Sequence, residues 1–180
     1  MIYVHLATGF EEIEALTTVD ILRRAGADVK TVSITGEKTV EGAHGIGIMA
    51  DILFEEADYK NCEMLVLPGG MPGTVNLGKH QGLCRELTEA AEAGKWVCAI
   101  CAAPMVLGNL GIVEGKRATI YPGMEGHLIG AAPVSAAVVR DGNIVTSMGP
   151  GTAMEFGFAL AEFLFGEEKA DELRAEMIYD

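Results

Sequence analysis

Basic residues are scarce in this sequence. Lys and Arg number 13 against 26 Asp and Glu, which gives a formal net charge of -13 and a pI near 4.7. That imbalance excludes a nucleic-acid platform, because binding a phosphate backbone takes clustered positive charge. It also excludes a polybasic membrane contact. Cysteine is sparse as well, with residues at 62, 84, 98 and 101 only, far below the density of a disulfide scaffold. The opening Met1-Ile2-Tyr3-Val4-His5 has no basic region followed by an apolar stretch, so a reduced, cytoplasmic protein is expected. A long membrane-type run is missing too. The uncharged stretch from Trp96 to Val113 is only as long as the shortest spans, and Pro104, Gly108, Asn109 and Gly111 interrupt it. A buried strand feeding a buried helix explains it better, since strands covered on both faces read as continuous apolar runs.

What is present is the profile of one folded domain over residues 1–180: 49% hydrophobic and 22% charged residues, with no internal repeat, linker or low-complexity tract. Short branched runs at Ile2 to Leu6, Val29 to Ile34, Met64 to Leu67, Trp96 to Ile100 and Ile144 to Thr146 predict buried strands. Helical patterns occupy Glu11 to Ala25, Gly82 to Ala93, Ala102 to Leu110, Thr152 to Phe165 and Glu167 to Met177. Such alternation predicts an α/β fold with a mostly parallel sheet and helices on both faces. The glycine-rich stretch from Gly36 to Gly47 reads as a hairpin excursion.

Ligands of such sheets bind beyond the carboxyl ends of the strands. There the sequence places Gly9-Phe10-Glu11-Glu12-Ile13-Glu14, Pro68-Gly69-Gly70, Cys101-Ala102-Ala103-Pro104 and Gly149-Pro150-Gly151-Thr152. Cys101 stands at a strand-to-helix junction, where a helix N-terminus would favour the thiolate; an inert buried cysteine is the competing reading. On a helical wheel Glu14 lies in line with Thr18, Ile21 and Ala25 and points inward, while Thr17, Asp20 and Arg24 form the solvent strip. A desolvated carboxyl there can support a thiolate or move a proton. Glu11 reads as simple compensation of the helix dipole. The Gly69-Gly70 pair can turn sharply and, with the amide of Ala102, could form an oxyanion hole, or it is an ordinary turn. Cys98 and Cys101 make a C-x-x-C, but Cys98 falls inside an apolar strand, which argues against a dithiol site. The cysteines at 62 and 84 have no short-spaced partner for a metal.

Gly-Phe-Glu-Glu-Ile-Glu-Ala at 9–15, Leu-Pro-Gly-Gly at 67–70, Ala-Ile-Cys-Ala-Ala-Pro at 99–104 and Gly-Pro-Gly-Thr-Ala at 149–153 together resemble the ThiJ/PfpI superfamily, which shares the class I glutamine amidotransferase-like fold. The resemblance is closest to the branch of the Parkinson-associated protein deglycase. It implies a flavodoxin-like three-layer α/β/α sandwich, a homodimer, and no metal or organic cofactor. It implies Cys101 as nucleophile, Glu14 as the protonated carboxyl that supports it, and the amides of Gly70 and Ala102 as oxyanion donors. Gly69, Tyr121, Pro150 and Gly151 are expected around the pocket. The partner so implied is a small dicarbonyl, or its glycated amine or thiol adduct, handled by glyoxalase or deglycase chemistry of a hydrolase or lyase kind. Oxidative-stress sensing, holdase chaperoning and, in distant branches, peptidase activity are the other family roles. One departure stands out. Better-studied members carry a histidine before a proline where this chain has Tyr121-Pro122, and none of His5, His44, His80 and His127 takes that place, although His127 lies six residues on.

Overall fold

In the computed structural model, which describes residues 1–179, the alternating apolar runs become a seven-stranded sheet. The elements are β1 (Ile2–Leu6), α1 (Glu12–Arg24), β2 (Val29–Ser33), β3 (Thr39–Glu41), β4 (Gly47–Met49), β5 (Ile52–Leu53), β6 (Met64–Leu67), α2 (Gly73–Lys79) and α3 (Gln81–Glu92). They continue as β7 (Trp96–Ile100), α4 (Pro104–Asn109), β8 (Arg117–Ala118), β9 (Ala132–Pro133), β10 (Val138–Asp141), β11 (Ile144–Ser147), α5 (Ala153–Phe165) and α6 (Glu167–Glu176). The sheet order is β10-β11-β7-β6-β1-β2-β5. All its pairings are parallel except that of β10 with β11.

Side chains of a strand alternate between the two faces, and the core divides accordingly. Ile2, Val4, Met64, Val66, Cys98 and Ile100 pack under α1, α5 and α6. Tyr3, Leu65, Leu67, Val97 and Ala99 pack under α2, α3 and α4. The result is the expected three-layer α/β/α arrangement, and no helix among the described residues is long and apolar enough to cross a membrane. The uncharged run from 96 to 113 is β7, a turn and α4. The hairpin excursion forms from β3 and β4, slightly beyond its expected end, and a bridge from Phe10 to Gly42 ties it to the start of α1.

Strand order reverses between β6 and β1: the chain runs from β1 outward to β2, then returns to place β6 on the other side of β1. Loops leaving these two strands diverge to opposite faces and open a crevice at their carboxyl ends. The glutamate-rich start of α1 and the Gly69-Gly70 turn are the segments that meet there.

On the other sheet face His5 is wholly buried, stacked on Tyr59. Its Nδ1 lies 3.3 Å from the Val66 carbonyl and its Nε2 2.9 Å from the Tyr59 hydroxyl. A carbonyl can only accept, so Nδ1 carries the proton and Nε2 accepts from Tyr59. Burial lowers the imidazole pKa from 6.5 to about 4, with the charge of His80 adding to it and the Val66 carbonyl opposing. The unfolded chain binds this proton below 6.5 and the folded chain resists it until about 4. Stability therefore falls as pH drops through that window, by on the order of 3 kcal/mol. Urea unfolding of the His5→Gln chain is expected to lose this share of the slope between pH 6.5 and 4.

Candidate active site

Glu14 sits in the first turn of α1 with no exposed surface. A closed ring of hydrogen bonds holds it. The Glu11 amide donates to the Gly69 carbonyl at 2.9 Å, the Gly69 amide donates to Glu14 Oε2 at 2.7 Å, and the Glu14 amide donates to Glu11 Oε2 at 2.7 Å. Glu11 is thus the N-cap of α1 and is nearly buried. Its part as a plain dipole partner is corrected: it joins the helix start to the β6 turn. Sequence spacing carried one signal for this, the cap position three residues ahead of Glu14.

The turn is built for close approach. A Cβ at position 69 would lie 2.7 Å from the Cys101 Cβ and 2.8 Å from Glu14 Oε2, so glycine is required there on space alone. Gly70 has φ 88 and its missing Cβ would fall 2.5 Å from the Glu11 amide nitrogen. Both demands are met by glycine and by no other residue.

Cys101 follows β7 directly, in the left-handed region at φ 64, a strained conformation for a residue other than glycine or asparagine. Its amide donates to the Ser147 carbonyl at 2.9 Å and its carbonyl accepts from the Tyr121 amide at 2.9 Å. Regular helix begins three residues later, at Pro104, and α4 spans six residues. The expected placing of Cys101 at a helix N-terminus is therefore only approximate. Two individual amides act instead: those of Ala102 and Gly70 interact with the sulfur and favour its thiolate. Against them, burial first, then the charge of Glu14 and the hydrogen bond to it, push the thiol up to about 12.

Burial likewise raises Glu14 to about 7, opposed by its bonds to Cys101 and the Gly69 amide and helped by the charge of Glu11. Thiol and carboxyl act as one unit that releases its first proton near neutrality and its second far above it. Glu14 Oε1 is buried and has no well-formed hydrogen bond to any protein atom. Such an orphan costs about 1–3 kcal/mol, which a proton shared with the sulfur or with a bound oxygen would recover.

The other expected pocket residues divide. Tyr121 is half exposed, and its ring lies beside Gly149 near the sulfur. Pro150 is partly buried in a short 3-10 turn, whereas Gly151 is exposed with open space around it. Gly149, rather than Gly151, is the glycine next to Cys101 Sγ. His127 is exposed. Cys98 is fully buried in the core three residues before Cys101, and both are free thiols. Among the described residues one cluster has metal-compatible spacing, Glu11, Glu12 and His44. Both Glu12 oxygens are already engaged at 2.7 Å, by the His44 amide and by His44 Nδ1. That cluster anchors the hairpin to α1.

The pH profile of Cys101 alkylation by iodoacetamide checks the shared proton. The rate is expected to rise to an inflection near pH 7 and then level off, because further loss of a proton is delayed towards 12. Glu14→Gln should remove the inflection near 7 and leave a single one, set by the thiol. An unchanged profile in that variant would show that the two groups are not coupled.

The chain as a whole is similar to known proteins. A family model described as the DJ-1/PfpI family matches residues 1–163. Protein DJ-1 homolog A of Arabidopsis thaliana is 39% identical over 98% of this chain, which spans 46% of that protein. Protein dj-1beta of Drosophila melanogaster is 37% identical over 94% of this chain and 92% of its own length. A deglycase of Pyrococcus abyssi is 34% identical over 81% of this chain and 87% of its own. Among solved structures, oxidized DJ-1 of Toxoplasma gondii superposes with a TM-score of 0.95 at 34% identity, covering 99% of this chain and 97% of that one.

Proposed function

Because this chain belongs to the DJ-1/PfpI family, we propose that it is a cysteine-dependent, cofactor-independent enzyme acting on small reactive dicarbonyls or their early glycation adducts. The observation that carries the reading is the buried, unpaired Glu14 Oε1 on a carboxyl that ionises near neutrality beside Cys101. A general acid and base works best when its pKa lies near the working pH. The relationship to a named deglycase supports the same direction.

After the first ionisation the remaining proton rests mainly on sulfur; the reactive form is the minor arrangement, in which that proton has moved to Glu14 and the sulfur is a thiolate. Sulfur adds to the aldehyde carbon of a 2-oxoaldehyde, the carbonyl electron pair moves to oxygen, and the Glu14 proton follows it. The product is a neutral hemithioacetal and a Glu14 carboxylate. Amides of Gly70 and Ala102, which favour negative charge at the sulfur in the free site, stabilise the developing oxyanion. The carboxylate then removes the carbon-bound proton of the hemithioacetal, giving an enediolate whose hydroxyl proton passes to the neighbouring oxygen, and returns the abstracted proton to the neighbouring carbon to give a 2-hydroxy thioester. Water hydrolyses the thioester, releasing the hydroxy acid and restoring Cys101. Overall one water is added and no redox partner is consumed. Tyr121 offers a hydroxyl but no imidazole at this site, so Glu14 is assigned both proton transfers.

Cys101→Ser is expected to abolish glutathione-independent loss of methylglyoxal, followed by hydroxy-acid formation. Glu14→Gln should lower kcat by roughly 100- to 10,000-fold, the usual worth of a placed general acid or base. Undiminished turnover in Cys101→Ser would end the proposal.

A second reading, a redox-responsive cysteine, draws support from the same orphaned oxygen, which could donate to an oxidised sulfur once protonated. Two added oxygens at Cys101 after mild peroxide, without dicarbonyl turnover, would favour it. We also propose assembly as a homodimer. Ile13 and Leu16 on α1, with Ile46 and Met49 on the neighbouring hairpin, are exposed apolar side chains of the kind that mark a contact surface. Leu16→Glu with Met49→Glu is expected to shift the sedimenting species to a monomer.

A further inference from the structure

Cys101 is 9% exposed, and its neighbours close most of its faces. The Gly69 turn lies against its Cβ, Glu14 flanks the sulfur, and Tyr121 is tied to its carbonyl through a backbone hydrogen bond. Gly149, at the end of β11, differs because it contributes no side chain. A Cβ built there would lie 3.3 and 3.6 Å from the Tyr121 ring carbons Cδ2 and Cε2 and 4.0 Å from Cys101 Sγ. One methyl group would therefore just occupy the space between ring and sulfur. The backbone does not call for glycine here, since its φ of 166 is extended and open to any residue. What glycine provides at 149 is room over the thiol, in a slot about one carbon thick.

We propose that Gly149 and the Tyr121 ring together determine which carbonyl compounds reach Cys101. The slot admits a flat, unbranched end, such as the aldehyde terminus of a short 2-oxoaldehyde, and rejects branched or aromatic ends. The ring forms one wall and the bare backbone at 149 the other. A steric wall of this kind discriminates by size alone, so the selection applies to any electrophile that must approach the sulfur. The dicarbonyl class rests on the function proposed above; the size selection does not.

The test times alkylation of Cys101, located by peptide mass mapping, with iodoacetamide and with the bulkier N-phenylmaleimide. Gly149→Ala is expected to slow the maleimide roughly tenfold more than iodoacetamide, the scale set by one added methyl group in a fitted pocket. Tyr121→Ala is expected to change the ratio in the opposite direction by a similar factor. Equal effects on both reagents, in variants that melt cooperatively, overturn the proposal. If Gly149→Ala does not fold, Tyr121→Ala decides alone: an unchanged ratio overturns the slot, and a raised one supports it. Methylglyoxal and phenylglyoxal turnover are followed in parallel. A changed alkylation ratio with no dicarbonyl turnover in the natural chain retains the slot and removes the dicarbonyl reading. Loss of turnover in Gly149→Ala that is greater for phenylglyoxal than for methylglyoxal supports both.

Discussion

Glu14 is a carboxyl with no access to water, placed against a sulfur, and the surrounding structure is arranged to keep it there. Burying such a group is unfavourable unless it is hydrogen-bonded or holds its proton. Here one oxygen takes the Gly69 amide and the other has no well-formed hydrogen bond, so the group remains poised between charged and neutral. The ring of bonds through Glu11, Gly69 and Glu14 fixes the carboxyl without satisfying it completely. Freedom to change protonation is retained, while freedom to move is largely removed.

That constraint explains features which otherwise look unrelated. Glycine at 69 is required because the Cys101 Cβ and the Glu14 oxygen leave no room for a side chain. The positive φ of Cys101 sends the chain sharply out of β7, with the thiol beside the carboxyl. Two elements on either side of the sheet's order reversal, α1 after β1 and the glycine turn after β6, must meet for the pair to form at all. The electrostatic consequence is mutual: burial raises both groups, and the amides of Ala102 and Gly70 oppose part of that rise at the sulfur. A thiol and a carboxyl are thus held in one small unit.

The hairpin and its anchor extend the same design outward. Glu12 holds the His44 amide and ring, and the Phe10 bridge to Gly42 fastens the excursion beside α1. Three glutamates within one helix start consequently have three duties: Glu11 caps, Glu12 anchors and Glu14 faces the thiol. Composition alone records them only as negative charge. Their separation depends on which partner each meets, and those partners lie as far along the chain as Gly69 and His44.

Much of the fold was legible from the residues. Branched apolar runs become β1, β6 and β7 with the same bounds because strands buried on both faces need continuous hydrophobicity, and the wheel position of Glu14 turned it inward as the 3.6-residue period requires. Short or late elements were not legible: β5 and β8 to β10 are two to four residues long, and α2, from Gly73 to Lys79, starts within a glycine-proline turn. Runs that short carry no periodicity, so pairing with neighbours creates them. Local period and side-chain chemistry suffice for the alternation of strands and helices, the inward glutamate and the cysteine at the strand end. That Glu11 is a cap, that Cys101 takes a left-handed turn short of the helix and that Gly149 stands over the sulfur emerges only once the chain is packed. Each of those depends on distances between segments far apart in the chain, and closing such distances is the work of packing rather than of local preference.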